Sequence, residues 1–356
     1  MNTVHAVLPG DVADPTSPSG GNIYDLRVCR DLAAEHGWRV HRIAVPGSWP
    51  RPGDAARAAL DRALADLPDG AAVLLDGLVG CGVPEVVVPH AHRLRLVVLV
   101  HLPLADEIGL PAEVAADLAD RERRTLRAAR AVVVTSAWTA RRLAARGMAD
   151  APVHVAPPGS DPAPLAPGTG DGSALLCVAA VTPHKGHDLL VDALARVADL
   201  AWQCDCAGPL HRAPDHVAEV RRRIDRYGLG DRVRLLGPLD RPELDAAYAA
   251  ADLVVLASRG ETYGMVLPEA LRRGIPVLAT AVGAVPDTLG RAPDGGVPGM
   301  LVPPEDAGAL AGALRRWLTE PELRRRLHAS ATSVRGILGT WQETSRLIAG
   351  VLERLH

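Results

Sequence analysis

Short apolar runs alternate along the chain with longer stretches in which apolar residues recur every three or four positions. In the first half the runs are Val4 to Leu8, Arg39 to Val45, Ala71 to Leu75, Leu94 to Val100, Ala131 to Thr135 and Val153 to Ala156. Runs this short, bounded by turn formers, read as strands. Between the first two, Asn22 to His36 places Ile23, Leu26, Val28, Leu32 and Ala33 on a rough helical period. The pattern breaks at Ala156 to Ser173, a segment so rich in Pro and Gly that it reads as a linker. It then restarts, with strands at Leu175 to Val181, Ala201 to Ala207, Arg232 to Leu236, Leu253 to Leu256, Pro276 to Ala279 and Met300 to Val302. Helical segments between these include His187 to Val197, Pro214 to Tyr227 and Arg241 to Ala250. Strand–helix alternation implies parallel, doubly wound α/β sheets. Its interruption implies two domains, residues 1–165 and 174–335. The tail from Asp306 is helical and Arg-rich, with a break around Gly336 to Gly339.

Composition narrows the class. A chain of 356 residues, 48% of them apolar, fits two domains with buried cores. A formal charge of −3 argues against nucleic acid as a bulk electrostatic partner. No run reaches the roughly 18 uninterrupted apolar residues of a membrane span, and the first residues lack the basic and apolar regions of a signal peptide. Five irregularly spaced cysteines fit a reduced, cytoplasmic setting better than a disulfide framework. Cys204 and Cys206 alternate along one strand, so they share a face and read as small buried residues. Lys185 changes the picture most: among 39 Lys and Arg residues it is the only lysine. A position that keeps lysine where arginine serves everywhere else points to a compact, mobile point charge.

The candidate chemistry centres on the stretch after Leu253–Leu256. Gly260 and Gly264 allow tight turning and close approach of a ligand, and Pro268 fits the first turn of a helix. Glu261 in the loop and Glu269 on the helix can both face the crevice beyond the strand ends, where open α/β sheets bind ligands. Two carboxylates there accept hydrogen bonds and suit a ligand rich in hydroxyl groups. Helix capping explains Glu269 equally well, but not Glu261, which precedes Gly264.

This spacing resembles the Glu-x7-Glu signature of retaining GT-B glycosyltransferases of the family 4 type. Val178 to Gly186 resembles that family's Gly-Arg-Leu-x-x-x-Lys-Gly segment, with Ala180 standing where the family carries a phosphate-binding arginine. The resemblance implies an α/β GT-B architecture, two Rossmann-like doubly wound domains facing across a cleft. The first would be the acceptor domain and the second the nucleotide-sugar donor domain, with the final helix, about 340–356, packing back on the first. It also implies a sugar transfer from a nucleotide-diphosphate sugar, with retained configuration and with neither metal nor cofactor; no Asp-x-Asp motif appears. A small molecule, a natural product, a glycan or a lipid would be the acceptor.

Site roles follow from the same resemblance. Lys185 would meet the donor diphosphate, and Arg259 is a candidate substitute for the arginine missing at Ala180. Glu261 would hold hydroxyls of the donor sugar and Glu269 those of the ribose, with Tyr263, Gly264, Met265 and Val266 between them lining the donor. Gly208, in Gly208-Pro209-Leu210, would lie near the base. Gly283, in Ala281 to Pro286, would belong to a loop whose backbone N–H groups cradle phosphates. In the first domain, Gly20 and Gly21 resemble the glycine-rich loop over the donor phosphates. His101, ending an apolar strand, resembles the histidine near the reacting sugar. His101, Lys185 and Glu261 are the catalytic candidates. A non-catalytic nucleotide-sugar-binding homologue, or an epimerase or phosphorylase of the same architecture, are the alternatives.

Other features read plainly. His90, His92, His184 and His187 are expected at the surface, and Ser136 as a helix cap. The glycine order after Asp76 is wrong for dinucleotide binding. Basic runs are solvated faces, of which Arg121 to Arg146 is the one that peripheral contact with anionic lipid would use.

Overall fold

The strands of unit 1 are β1 (Thr3–Pro9), β2 (Arg39–Val45), β3 (Ala72–Asp76), β4 (Arg95–Val100), β5 (Ala131–Val134) and β6 (Val153–Val155). Those of unit 2 are β7 (Ala174–Val178), β8 (Gln203–Ala207), β9 (Val233–Gly237), β10 (Leu253–Leu256), β11 (Val277–Thr280) and β12 (Gly299–Val302). The structure is a computed structural model and describes residues 2–16 and 18–355. Unit 1 comprises Met1–Asp14, Ser19–Gly159 and Gly339–His356; unit 2 comprises Pro15–Pro18 and Ser160–Leu338.

Each unit is built on one parallel sheet of six strands, ordered β2-β1-β3-β4-β5-β6 in unit 1 and β12-β11-β10-β7-β8-β9 in unit 2. The apolar runs become central strands because helices cover both faces, so every residue of β3, β5, β10 and β11 is buried. In each sheet the chain order reverses once, between β1 and β3 and between β7 and β10. These reversals open a crevice at the carboxyl ends of the strands.

The helix Trp341–Glu353 belongs to unit 1. Thr340 caps it reciprocally with Glu343. It lies along the helix Gly20–Glu35, where Trp341 meets the ring of Tyr24 edge-on at 5.9 Å and His36 Nε2 bonds Ser345 Oγ at 3.0 Å. The Pro/Gly-rich segment 160–173 is not slack. Asp252 binds Thr169 N and Ala174 N at 2.9 Å each, and Gly172 O accepts the indole N–H of the fully buried Trp317 at 2.8 Å. Its prolines prevent regular pairing, yet Ala166 N, Gly168 N and Thr169 N each donate to a residue of unit 2 outside the segment.

Candidate active site

In unit 2 the chemistry-bearing loops all leave carboxyl ends of strands. Lys185 ends a single tight turn, Pro183–Lys185, after β7. Gly186 closes that turn at φ 66°, and a Cβ there would lie 2.0 Å from Ala257 O. Only glycine lets this loop pack on the one after β10. A backbone bond from Arg259 N to His184 O, 2.8 Å, locks the two loops together. The result is that Lys185 Nζ donates to Glu261 Oε1 at 2.7 Å, across the strand reversal between β7 and β10. Ser258 Oγ donates to the same oxygen at 2.8 Å.

The loop after β11 supports this pair from beneath. Gly283 has φ 53°, and a Cβ on it would lie 1.9 Å from Glu261 O. Ala284 N donates to that carbonyl at 2.9 Å. Glu261 is thus fixed through its backbone, while its side chain is only 9% exposed and that of Lys185 29%.

Glu269 lies on the helix Val266–Arg272 and makes its bond elsewhere: Tyr248 Oη donates to Oε2 at 2.9 Å. Burial pushes its carboxyl above the ordinary range, against the pull of Tyr248 and Arg273. Tyr248 is fully buried, with the Arg273 guanidinium 4.3 Å from its ring centre. Met265 stands at the start of this helix and Val266 is its first residue. Gly264 turns at φ 81°, and burial raises the Tyr263 hydroxyl to about 12. Gly208 N bonds Gly237 O at 2.8 Å at the end of β8.

Three expectations change. Arg259 is not a free cation for a phosphate: it grips Asp188 at 2.8 and 2.9 Å, Glu305 at 2.6 Å and Pro183 O at 2.6 Å. It braces the lysine loop from outside. Burial opposes ionisation of Asp188, yet Arg259 holds its carboxyl below the ordinary range. His187 is not at the surface; it is the first residue of the helix His187–Ala195, 1% exposed, with Nε2 3.6 Å from Cys177 Sγ. Gly20 and Gly21 are not in a loop; they form the first turn of the helix Gly20–Glu35, with Ser19 Oγ accepting from Asn22 N.

Unit 1 places His101 just beyond β4. Its Nε2 lies 2.9 Å from Asp25 Oδ1 and 3.9 Å from Asp76 Oδ2. Tyr24 stands edge-on to the ring at 5.2 Å, and Gly21 leaves it space, since a Cβ there would come within 3.2 Å. Burial lowers the imidazole pKa, with Asp76 pulling the other way. Sequence reasoning missed Asp25 and Tyr248, which lie on helices without any motif. Asp76 and Ser258 stood inside stretches already noted, and their position at or near the carboxyl end of a strand was the available signal. Ser136 caps the helix Ala137–Ala145, accepting from Thr139 N.

Two six-stranded parallel sheets, each covered by helices and each with one strand reversal, define the class of fold: GT-B. Residues 169–334 match the family described as glycosyl transferases group 1. D-inositol 3-phosphate glycosyltransferase 1 of Catenulispora acidiphila is 33% identical over 303 residues, spanning 77% of this chain and 69% of that protein. Among solved structures, the sucrose-phosphate synthase of Thermosynechococcus elongatus superposes with a TM-score of 0.81 at 24% identity, covering 100% of this chain and 99% of that one. Anabaena HepE, solved in complex with UDP-glucose, gives 0.74 at 18% identity over 99% and 100%. These two likenesses concern the fold. The chain belongs to the group 1 glycosyl transferases, and it is a glycosyltransferase. Among the described residues no helix is long and apolar enough to cross a membrane.

Proposed function

We propose that the protein transfers a sugar from a nucleoside diphosphate sugar to a hydroxyl acceptor, with retained anomeric configuration and no metal ion. The observation that carries this is the 2.7 Å pair of Lys185 and Glu261 at the strand reversal of unit 2. One cation and one fixed carboxylate, side by side, match the two ends of an activated sugar. Lys185 neutralises charge growing on the departing diphosphate, and Glu261 accepts hydrogen bonds from the sugar hydroxyls. Glu269 keeps one oxygen for the ribose while Tyr248 holds the other.

In the reaction the bond from the anomeric carbon to the diphosphate oxygen breaks. The acceptor oxygen bonds the same carbon on the same face, and its proton passes to an oxygen of the leaving diphosphate. Lys185 supplies the positive charge that a metal would otherwise bring. Glu261 orients the donor and forms no covalent bond. UDP-glucose is the first donor to try, because HepE was solved with it. Inositol 3-phosphate is the first acceptor, because the Catenulispora relative is named for it.

The test is a thermal-shift screen of nucleoside diphosphates and their sugars, followed by turnover with and without chelator. NMR of the product then reads the anomeric configuration. A raised melting point, chelator-resistant turnover and a product of the donor's configuration are expected. Inversion, or turnover abolished by chelator and restored by a divalent ion, would refute the corresponding part.

A further inference from the structure

The buried acids beside His101 hold more hydrogen-bonding capacity than the residues around them satisfy. Asp25 and Asp76 are 1% and 3% exposed. Asp76 Oδ1 accepts from Leu78 N at 2.6 Å. Asp25 Oδ1 faces His101 Nε2 at 2.9 Å. Asp25 Oδ2 is fully buried and receives no donor from any N–H or hydroxyl among the described residues. One oxygen of each carboxyl group and one nitrogen of His101 all lie within 4.8 Å of one another. Two carboxylates cannot bond one another unless one carries a proton.

We propose that Asp25 and Asp76 are positioning residues that share one proton and hold His101 in its Nε2–H tautomer, leaving Nδ1 as an acceptor for a substrate hydroxyl. The proton resides on Asp76, which gives it to Asp25; the charge on Asp25 receives the imidazole N–H. Burial supports this order. It raises Asp25 to about 7 and Asp76 well above its ordinary value, the neighbouring Asp25 charge adding to the effect. The other groups near the pair do not reverse it. Cys29, on the same helix as Asp25, has its thiol pushed up to about 12 by burial and by Asp25, with Arg42 of β2 opposing. Cys81 is pushed up by burial, by Glu122 and by Asp76. Both thiols stay neutral. His101 Nδ1 has no partner among the described residues, and the side chain is 19% exposed. Nδ1 is therefore the ring nitrogen left to accept from a ligand. The inference deepens the proposed function only in naming a substrate hydroxyl; the tautomer itself does not depend on it.

The experiment is nitrogen-15 NMR of histidine-labelled protein treated with chelator, with His101 assigned by its absence in His101→Gln. The expected spectrum is a neutral ring protonated at Nε2 at pH 8–9, above the value of about 7 at which Asp25 loses its proton. Asp76→Asn mimics the protonated acid, since its amide can donate to Asp25 and its carbonyl can still accept from Leu78. It should keep the tautomer and lower turnover far less than Asp25→Asn does. Asp25→Asn should lose or mix the tautomer and lower kcat about tenfold or more, with the donor KM little changed and the pH profile altered. Asp25→Glu should restore part of the rate. A ring protonated at Nδ1 or at both nitrogens in the wild type would overturn the proposal. So would an Asp76→Asn protein as impaired as Asp25→Asn, or resonances that move on adding magnesium, manganese or zinc, which would make the three residues cation ligands. If no donor is ever turned over, the spectra still decide the tautomer; if the tautomer is wrong, turnover remains to be explained by Lys185 and Glu261 alone. Should Asp25→Asn fail to fold, the wild-type and Asp76→Asn spectra suffice.

Discussion

Lys185 and Glu261 compete with the ligand for each other, and that competition sets a signed prediction. In the free protein the ammonium sits 2.7 Å from the carboxylate. Exposed pairs of this kind contribute about 0.2–1 kcal/mol; with 29% and 9% exposure this one lies near the upper end, about 1 kcal/mol. A nucleoside diphosphate must draw Lys185 away. Replacing Glu261 with Gln removes the competitor and should tighten UDP about fivefold, the equivalent of that 1 kcal/mol. It should weaken UDP-glucose, because a carboxylate that accepts from sugar hydroxyls is worth about 1.5–3 kcal/mol. Lys185→Gln loses a charge-assisted bond of about 1.5–3 kcal/mol to phosphate but no longer has to break the pair. The net is about 0.5–2 kcal/mol, or about 2–30-fold weaker binding of UDP and UDP-glucose alike. Isothermal titration of both ligands to the two single variants and the double variant, at 0.15 M salt, measures every term. If Lys185→Gln binds UDP as tightly as the wild type, or Glu261→Gln weakens UDP as much as UDP-glucose, the assignment of the two ends is wrong.

Tyr248→Phe removes one oxygen from the core and leaves Glu269 without its donor. It should cost about 1–3 kcal/mol of stability, seen as a lower melting temperature, while Glu269→Gln should weaken nucleotide binding without changing the sugar preference. Glu122 gives a pH test in unit 1. Burial raises it to about 8, opposed by its bond from Leu104 N. A folded pKa above the unfolded one means the stability is full below about pH 4.5 and falls as pH rises through 8. Glu122→Gln stays neutral and should flatten that slope, gaining a few kcal/mol at pH 9 and little at pH 5. Denaturant titration at the two pH values reads this, and equal midpoint shifts at both would refute it.

Much of this was legible along the chain, because strand and helix periods are local properties. The segments Arg39–Val45, Leu253–Leu256 and Arg241–Ala250 carry identical ends in sequence and structure. The lone lysine and the two glutamates stood out by composition and spacing, without any fold. What required the tertiary structure was every relation between residues far apart in sequence. Asp25, Asp76 and His101 come from a helix and two strand ends and meet only because β3 and β4 lie side by side in the sheet. Arg259 looked free beside Glu261 until Asp188 and Glu305 were seen to hold it. His187 looked like a loop residue because its burial depends on Cys177, on a neighbouring strand. Periodicity reports which face of an element avoids water; it does not report which other element that face meets, and the polar partners of a buried charge are decided there.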